Sequence, residues 1–250
     1  MTYCVGLLLK QGIVLLSDTR TNGGLDNIAT YRKMFTFERP GERVITILTA
    51  GSLSVTQTTI ARLRDAIEDE NATPESSILL APTMLQVCEI IGNTLASVRK
   101  GIDAKMTAGT VPTAATMIVA GQRATGDMRM FLVYSEGNFI EATEDTPYLQ
   151  IGEHKYGKPI LDRVVTTDTS LEDAQKAVLL SMDSTLRSNL SVGMPLDLAV
   201  IRKDALRVSE QRRIEPKDPD FARMSEAWSK ALRDGFSQID LTHNTPPGTP

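Results

Sequence analysis

Met1-Thr2-Tyr3-Cys4-Val5-Gly6-Leu7-Leu8-Leu9-Lys10-Gln11-Gly12-Ile13-Val14-Leu15-Leu16-Ser17-Asp18 opens the chain, and its reading decides the fold. Residues 2–10 read as a strand, Gln11-Gly12 as a tight turn, and residues 13–18 as the returning strand. A hairpin of that length brings Asp18 back to the level of Thr2. A little further on, Thr30-Tyr31-Arg32-Lys33-Met34-Phe35-Thr36-Phe37 reads as a third strand from its β-branched and aromatic content, with Lys33 able to face both residues. Thr2 directly follows Met1, and a small second residue lets methionine aminopeptidase remove the initiator. The mature chain would then carry a hydroxyl and a free α-amine on one residue. That pairing supports nucleophilic catalysis, in which the hydroxyl attacks and the amine serves as base. An α-amine titrates at roughly 7.7–8.0 and is partly neutral at cellular pH. A buried Lys33 held charged by Asp18 would lower the hydroxyl's pKa. The other reading of Asp18 and Lys33 is a structural ion pair. An acid and an arginine directly after an apolar strand favour a strand end at a site.

Thr2 at the start, Ser17-Asp18-Thr19-Arg20, Arg32-Lys33-Met34 and Leu48-Thr49-Ala50-Gly51-Ser52 together resemble a proteasome-type β-subunit. The likeness is greatest to the bacterial ancestral β-subunit branch and covers most of residues 2–215. The resemblance implies an α+β fold, the four-layer αββα sandwich of N-terminal-nucleophile hydrolases, and a threonine-type peptidase subunit working in a homo-oligomer. It implies Thr2, Asp18 and Lys33 as catalytic residues, with Gly51 offering its N–H to the oxyanion. It implies Thr21 and Asn22 as a strand that pairs with an extended peptide, and Thr49 and Leu53 as lining for the residue before the cut. Two stretches depart from the family pattern. Its Ser-Gly motif appears here as Gly152-Glu153-His154, and its later Asp-x-x-Ser-Gly as Ser188-Asn189-Leu190-Ser191-Val192-Gly193. Ser191 keeps the supporting hydroxyl while the acid is missing, which leaves Asn189 and Ser188 as substitutes.

The chain has 250 residues, 41% hydrophobic and 23% charged, enough for a sizeable core in one large domain or two small ones. A net charge of −4 gives no reason to expect a nucleic-acid partner. Two Cys and two His argue against a disulfide framework or a Cys/His metal site, and no cofactor is expected. No stretch is long enough to span a membrane. The apolar start lacks a basic n-region and is broken by Lys10-Gln11-Gly12, so the expected location is the cytoplasm.

Beyond the third strand, Arg43-Val44-Ile45-Thr46-Ile47-Leu48-Thr49-Ala50 reads as a buried strand ending at Gly51-Ser52. Helices are expected over about 53–67 and 83–100, the second stopped by Gly101. A loop follows over 104–112. Residues 116–121 and 130–134 read as strands joined at Gly126-Asp127, and 138–142 as a short strand. Ile151-Gly152-Glu153 leads into a helix over about 156–164. Ser170-Leu171-Glu172-Asp173 is a capping-box-like start for a helix over roughly 171–187. Residues 195–201 and 206–208 read as a closing hairpin. Two strand clusters alternating with two helix pairs suit a layered sandwich. The hydrolase domain is placed at 1–215. From Glu215 the composition changes: a Pro-bounded linker, an amphipathic helix over about 220–236 with Met224, Trp228, Ala231 and Leu232 on one side, and a disordered tail at 245–250.

No Gly-x-Ser-x-Gly elbow and no phosphate loop occurs, which disfavours a serine hydrolase or a nucleotide enzyme. The leading expectation is a peptidase acting on peptide or unfolded protein, with nothing to indicate whether an ATP-driven unfoldase feeds it. The alternatives are an amidase of the same fold acting on small amides, and a non-catalytic assembly or interaction protein.

Overall fold

The computed structural model describes residues 1–22, 28–105 and 112–240, with Asn22 and Ile28 described through their main chain alone. The middle of the expected loop at 104–112 and the expected tail at 245–250 therefore lie outside the described residues. The chain divides into two compact units, Met1–Pro216 and a second beginning at Lys217. In order, the first unit carries β1 (Tyr3–Leu9), β2 (Gly12–Asp18), β3 (Arg20–Asn22), β4 (Ile28–Thr30), β5 (Met34–Arg39), β6 (Arg43–Gly51), α1 (Leu53–Glu68), α2 (Met84–Asp103), β7 (Ala115–Arg123), β8 (Arg129–Val133), β9 (Phe139–Glu141), β10 (Tyr148–Gly152), α3 (Lys158–Val164), α4 (Leu171–Ser188), β11 (Leu196–Arg202) and β12 (Glu210–Ile214). The second unit contains α5 (Pro219–Ser237).

Two antiparallel five-stranded sheets form, in the orders β10-β1-β2-β11-β12 and β5-β6-β7-β8-β9, with β3 and β4 as a separate ribbon. The sheets face each other through β1, β6, β7, β8 and β10, while α1 and α2 cover β6, β7 and β8, and α4 covers β1 and β2. This is the αββα sandwich, and it explains why the strands read as apolar runs. A strand buried on both faces needs an apolar residue at every position, because its side chains alternate. In β6, Val44, Leu48 and Ala50 enter the core between the sheets, and Ile45 and Ile47 enter the core under α1 and α2. In β7, Ile118 and Ala120 point one way, and Ala115, Met117 and Val119 the other.

Four local expectations are corrected. The stretch 30–37 is not one strand: the ribbon ends at Thr30 and β5 starts at Met34. Between them Tyr31 donates its N–H to Thr19 O (2.9 Å), while Lys33 O accepts from Thr49 N–H (2.9 Å), so the chain changes partners there. Gly101 does not stop α2, which runs on to Asp103. Continuing the helix packs Ile102 against the core, and this outweighs the roughly 1 kcal/mol that a helical glycine costs relative to alanine. Residues 206–208 are not the closing strand. Asp204 and Leu206 have φ of 62° and 51°, a left-handed backbone that no strand accommodates. The partner of β11 is β12, whose sequence Glu210-Gln211-Arg212-Arg213-Ile214 is polar because it is an edge strand with solvent beside it. Lastly, β10 is a full strand that pairs Tyr3 with Gly152 and Leu7 with Tyr148. The helix starts behave as expected where capping chemistry is present: Ser170 Oγ accepts from Asp173 N–H at 3.1 Å.

Candidate active site

The pairing register explains why Asp18 meets the chain start. In the β1–β2 hairpin Cys4 lies opposite Ser17, so the next step outward sets Tyr3 beside Asp18. Tyr3 N–H donates to Asp18 Oδ1 at 3.1 Å. The same oxygen accepts from Lys33 Nζ at 2.7 Å, and Oδ2 accepts from Gly193 N–H at 3.2 Å. Lys33 Nζ also donates to Arg20 O at 2.6 Å. Asp18 is wholly buried and Lys33 is 5% exposed. Burial pushes the Asp18 carboxyl above the ordinary carboxylate value, and the Lys33 ammonium with the Tyr3 and Gly193 N–H groups pulls against that rise. An ammonium has three N–H donors. Two are committed to Asp18 and Arg20, which leaves the third for the cavity that Lys33 lines with Thr2.

That cavity, about 210 Å³, is lined by Met1, Thr2, Thr21, Lys33, Thr49, Ala50, Gly51, Leu53 and Thr56. Six of the residues singled out from sequence thus meet in one place: Thr2, Lys33, Gly51, Thr21, Thr49 and Leu53. Asp18 lies behind them. Asn22 is described only by its main chain, paired with Ile28 in the β3–β4 ribbon. Ser191 is not among the lining residues. Its N–H donates to Asn189 Oδ1 (2.9 Å), and this turn carries the chain to Gly193. A larger cavity of about 380 Å³ lies at the other end of β1, beside Lys10 and Arg129. Two of its lining cations are engaged, Lys10 with Asp168 at 2.7 Å and Arg129 with Glu141 at 2.6 Å and 2.7 Å. It holds none of the candidate residues.

Gly51 has φ +101°, and a Cβ there would lie 2.3 Å from Ala114 O, so only glycine fits. Its N–H direction follows from strand alternation. Thr49 N–H points toward the β5 side, where it meets Lys33 O at 2.9 Å. Two residues on, strand alternation turns Gly51 N–H to the same side, and Gly51 is one of the residues lining the cavity. Thr2 is 8% exposed, and its carbonyl accepts from Glu153 N–H at 2.7 Å. Gly152, with φ +81°, lies so close that a Cβ would be 1.9 Å from Thr2 O. The departed Gly152-Glu153-His154 stretch therefore anchors the chain start through its backbone. Burial, with the Asp18 charge, pushes the nearby Cys4 thiol up, which disfavours the thiolate there.

Three residues take parts that the sequence reading did not assign, although Arg20 and Gly193 lay in the stretches it singled out. Gly193 reaches Asp18 through its amide, Arg20 reaches Lys33 through its carbonyl, and Thr56 lines the cavity from the first turn of α1. Two of these act through main-chain atoms that every residue carries, so side-chain chemistry gave no signal. The helical spacing after Leu53 was the available clue to Thr56.

Comparisons with known proteins bear on the family and the fold. The proteasome subunit family model matches residues 2–201. Among solved structures the chain is similar to an Anbu (Gly-1) mutant from Hyphomicrobium sp. strain MC1, at 44% identity and TM-score 0.91, covering 97% of this chain and 100% of that one. It is similar to Anbu (ancestral beta-subunit) from Yersinia bercovieri, at 39% identity and TM-score 0.90, covering 98% and 100%. It is also similar to a chain of the helical assembly of the Anbu complex from Pseudomonas aeruginosa, at 42% identity and TM-score 0.89, covering 97% and 98%. Comparison with curated proteins finds no match.

Proposed function

We infer the function from one premise: the chain belongs to the proteasome subunit family, in its Anbu branch. We propose that it is a threonine-type hydrolase subunit that cleaves peptide bonds once Met1 has left. The observation that carries this reading is the Asp18 carboxylate, which bonds both Lys33 Nζ (2.7 Å) and Tyr3 N–H (3.1 Å) and so ties the ammonium to the residue after Thr2.

In the chain that begins at Met1, Thr2 nitrogen is an amide and cannot act as a base. Removal of Met1 turns it into an amine on the nucleophile's own residue. The Thr2 hydroxyl then attacks the substrate carbonyl and hands its proton to that amine. Lys33 stabilises the negative charge gathering on the threonine oxygen, and Asp18 keeps Lys33 in place. The carbonyl oxygen of the tetrahedral intermediate receives Gly51 N–H. Proton return from the amine to the leaving nitrogen releases the first product, and water then hydrolyses the Thr2 ester. Thr21 and Asn22 offer main-chain pairing to an extended substrate, and Thr49 and Leu53 contact its side chain before the cut. We further propose that the subunit assembles with copies of itself, supported by its likeness to the assembled Pseudomonas chain.

The test is covalent labelling. A peptide epoxyketone needs both the hydroxyl and the free α-amine of one residue to close its ring, which internal Ser, Thr or Cys cannot supply. Intact mass with mapping of the N-terminal peptide should show the adduct on Thr2 only in protein lacking Met1. Thr2→Ser should keep some labelling, and Thr2→Ala should lose Met1 yet take no label. Labelling at Cys4, or none on protein shown to lack Met1, would sink the peptidase reading.

A further inference from the structure

We propose that Met1 is removed only before the first strand docks, so that folding closes the window for maturation and a chain folded with Met1 in place is locked in the inactive form. The Met1 side chain is 63% exposed, which at first sight offers it to an aminopeptidase. The bond to be cut is another matter. On its far side Thr2 is 8% exposed and Tyr3 and Cys4 are wholly buried. Thr2 O is held by Glu153 N–H at 2.7 Å, and Tyr3 N–H is held by Asp18 Oδ1 at 3.1 Å. Gly152 sits against Thr2 with no room even for a methyl group.

An exopeptidase takes its substrate end into a concave site. It must surround the scissile carbonyl, so Thr2 and the start of Tyr3 have to leave the sheet. Tyr3 begins β1, an internal strand paired with β2 on one side and β10 on the other, and Thr2 just before it is held by Glu153 N–H. Withdrawing them breaks hydrogen bonds on both sides and uncovers Tyr3, whose hydroxyl is within 2.6 Å of Ser181 Oγ and accepts from Gln150 Nε2 at 2.6 Å. Local opening of a segment tied on two sides lies toward the global unfolding limit, whereas free termini fray at almost no cost. Only Met1 itself is left to fray here.

The chemistry is ordinary hydrolysis. One water adds across the Met1–Thr2 amide, its hydroxyl going to the methionine carbonyl and its proton to Thr2 nitrogen, and free methionine departs. The partner is a methionine-specific aminopeptidase acting on the nascent, unpaired chain. Activity would then depend on how removal competes with folding during synthesis, and overproduction would accumulate folded subunits that no later supply of the aminopeptidase rescues.

Mass spectrometry tests this without reference to turnover, so it stands or falls separately from the proposed hydrolase activity. The full chain is made with the aminopeptidase inhibited, folded, and freed of inhibitor. Purified methionine aminopeptidase is then added to it and, in parallel, to a synthetic peptide of residues 1–12. We expect the peptide to be trimmed and the folded chain to lose methionine at least about 100-fold more slowly, because cleavage follows the open population. Gly152→Ala, which pushes on Thr2 O, should speed trimming of the folded chain. Should that variant fail to fold, full-length chain held unfolded in urea and diluted into the enzyme serves instead, with trimming expected until refolding is complete. Trimming of the folded wild type at the peptide's rate would overturn the proposal, as would loss of Met1 from the folded chain with no enzyme added.

Discussion

At the scale of single residues, charge at Lys33 matters more than bulk. Lys33→Met keeps a side chain of comparable length but removes the ammonium that the proposed mechanism requires, so turnover should fall by about 10²–10⁴-fold. It also strands Asp18, a buried acid whose other partners are two backbone amides. Breaking one half of such a pair costs about 3–5 kcal/mol, to be read from urea denaturation of the variant. Lys33→Arg keeps the charge, but a planar fork cannot place one donor on Asp18 and one on Arg20 O in the same way, and activity should still be lost. Full activity in either variant would remove Lys33 from the mechanism. Tyr3 gives a prediction in pH. Burial pushes its phenol from 10.0 up to about 12, so the folded state holds the proton more tightly than the unfolded chain. The linked stability is fully present below pH 10 and is lost as pH rises through 12, about 2–3 kcal/mol over that span. Tyr3→Phe should be less stable than wild type at pH 8, because Ser181 and Gln150 lose a partner. The gap should narrow by pH 11, and a gap that widened would mean the phenol is already ionised in the folded protein.

At the scale of elements, the spacing of the two sheets is set in part by a missing side chain. Gly6 lies in β1, and a Cβ there would meet Met130 Sδ at 2.7 Å and Leu15 Cδ2 at 2.9 Å. Gly6→Ala should therefore destabilise by about 1–3 kcal/mol through overpacking. Met130 is unbranched and lies on the facing sheet, so adding Met130→Ala should return part of that loss. Strictly additive costs in the double variant would show that the sheets, and not the methionine, absorb the strain. Elements with both faces buried were legible in the sequence because their signal is an unbroken apolar run, as in β1, β2 and β6. β12 was not, since its exposed edge carries no apolar pattern, and β10 was hidden because Tyr148-Leu149-Gln150-Ile151-Gly152 is short and leads directly into the turn before α3.

At the scale of the whole molecule, the second unit carries an apolar stripe of its own. In α5 and just beyond it, Leu232 is 54% exposed, Phe236 80% and Ile239 70%. Apolar side chains gathered in this way mark an interaction surface or an aggregation risk. Deleting residues 216–250 should lower the oligomer mass seen by light scattering while leaving most of the far-UV helix signal, because α1, α2, α3 and α4 lie in the first unit. An unchanged oligomer would remove α5 from assembly. Leu232→Ser with Phe236→Ser makes the same test with the chain length kept.

The sequence by itself determined the sandwich, because doubly buried strands and single-faced helices leave few ways to cover every apolar surface. It also brought Asp18 back to the chain start, since a hairpin turning tightly at Gln11-Gly12 sets the end of its second strand beside the beginning of its first, where Asp18 meets Tyr3 N–H. The tertiary structure decided what holds those residues. Lys33 sits on no strand, but at the crossing from ribbon to sheet, where Tyr31 N–H meets Thr19 O and Lys33 O meets Thr49 N–H. The second oxygen of Asp18 is held from 175 positions away by Gly193 N–H. Thr2 is clamped by Gly152 and Glu153, whose side-chain identities suggested a lost motif. In each case the contact is made by a backbone amide or carbonyl, or by the absence of a Cβ. Such groups are present all along the chain, and only the fold selects the ones that reach the site.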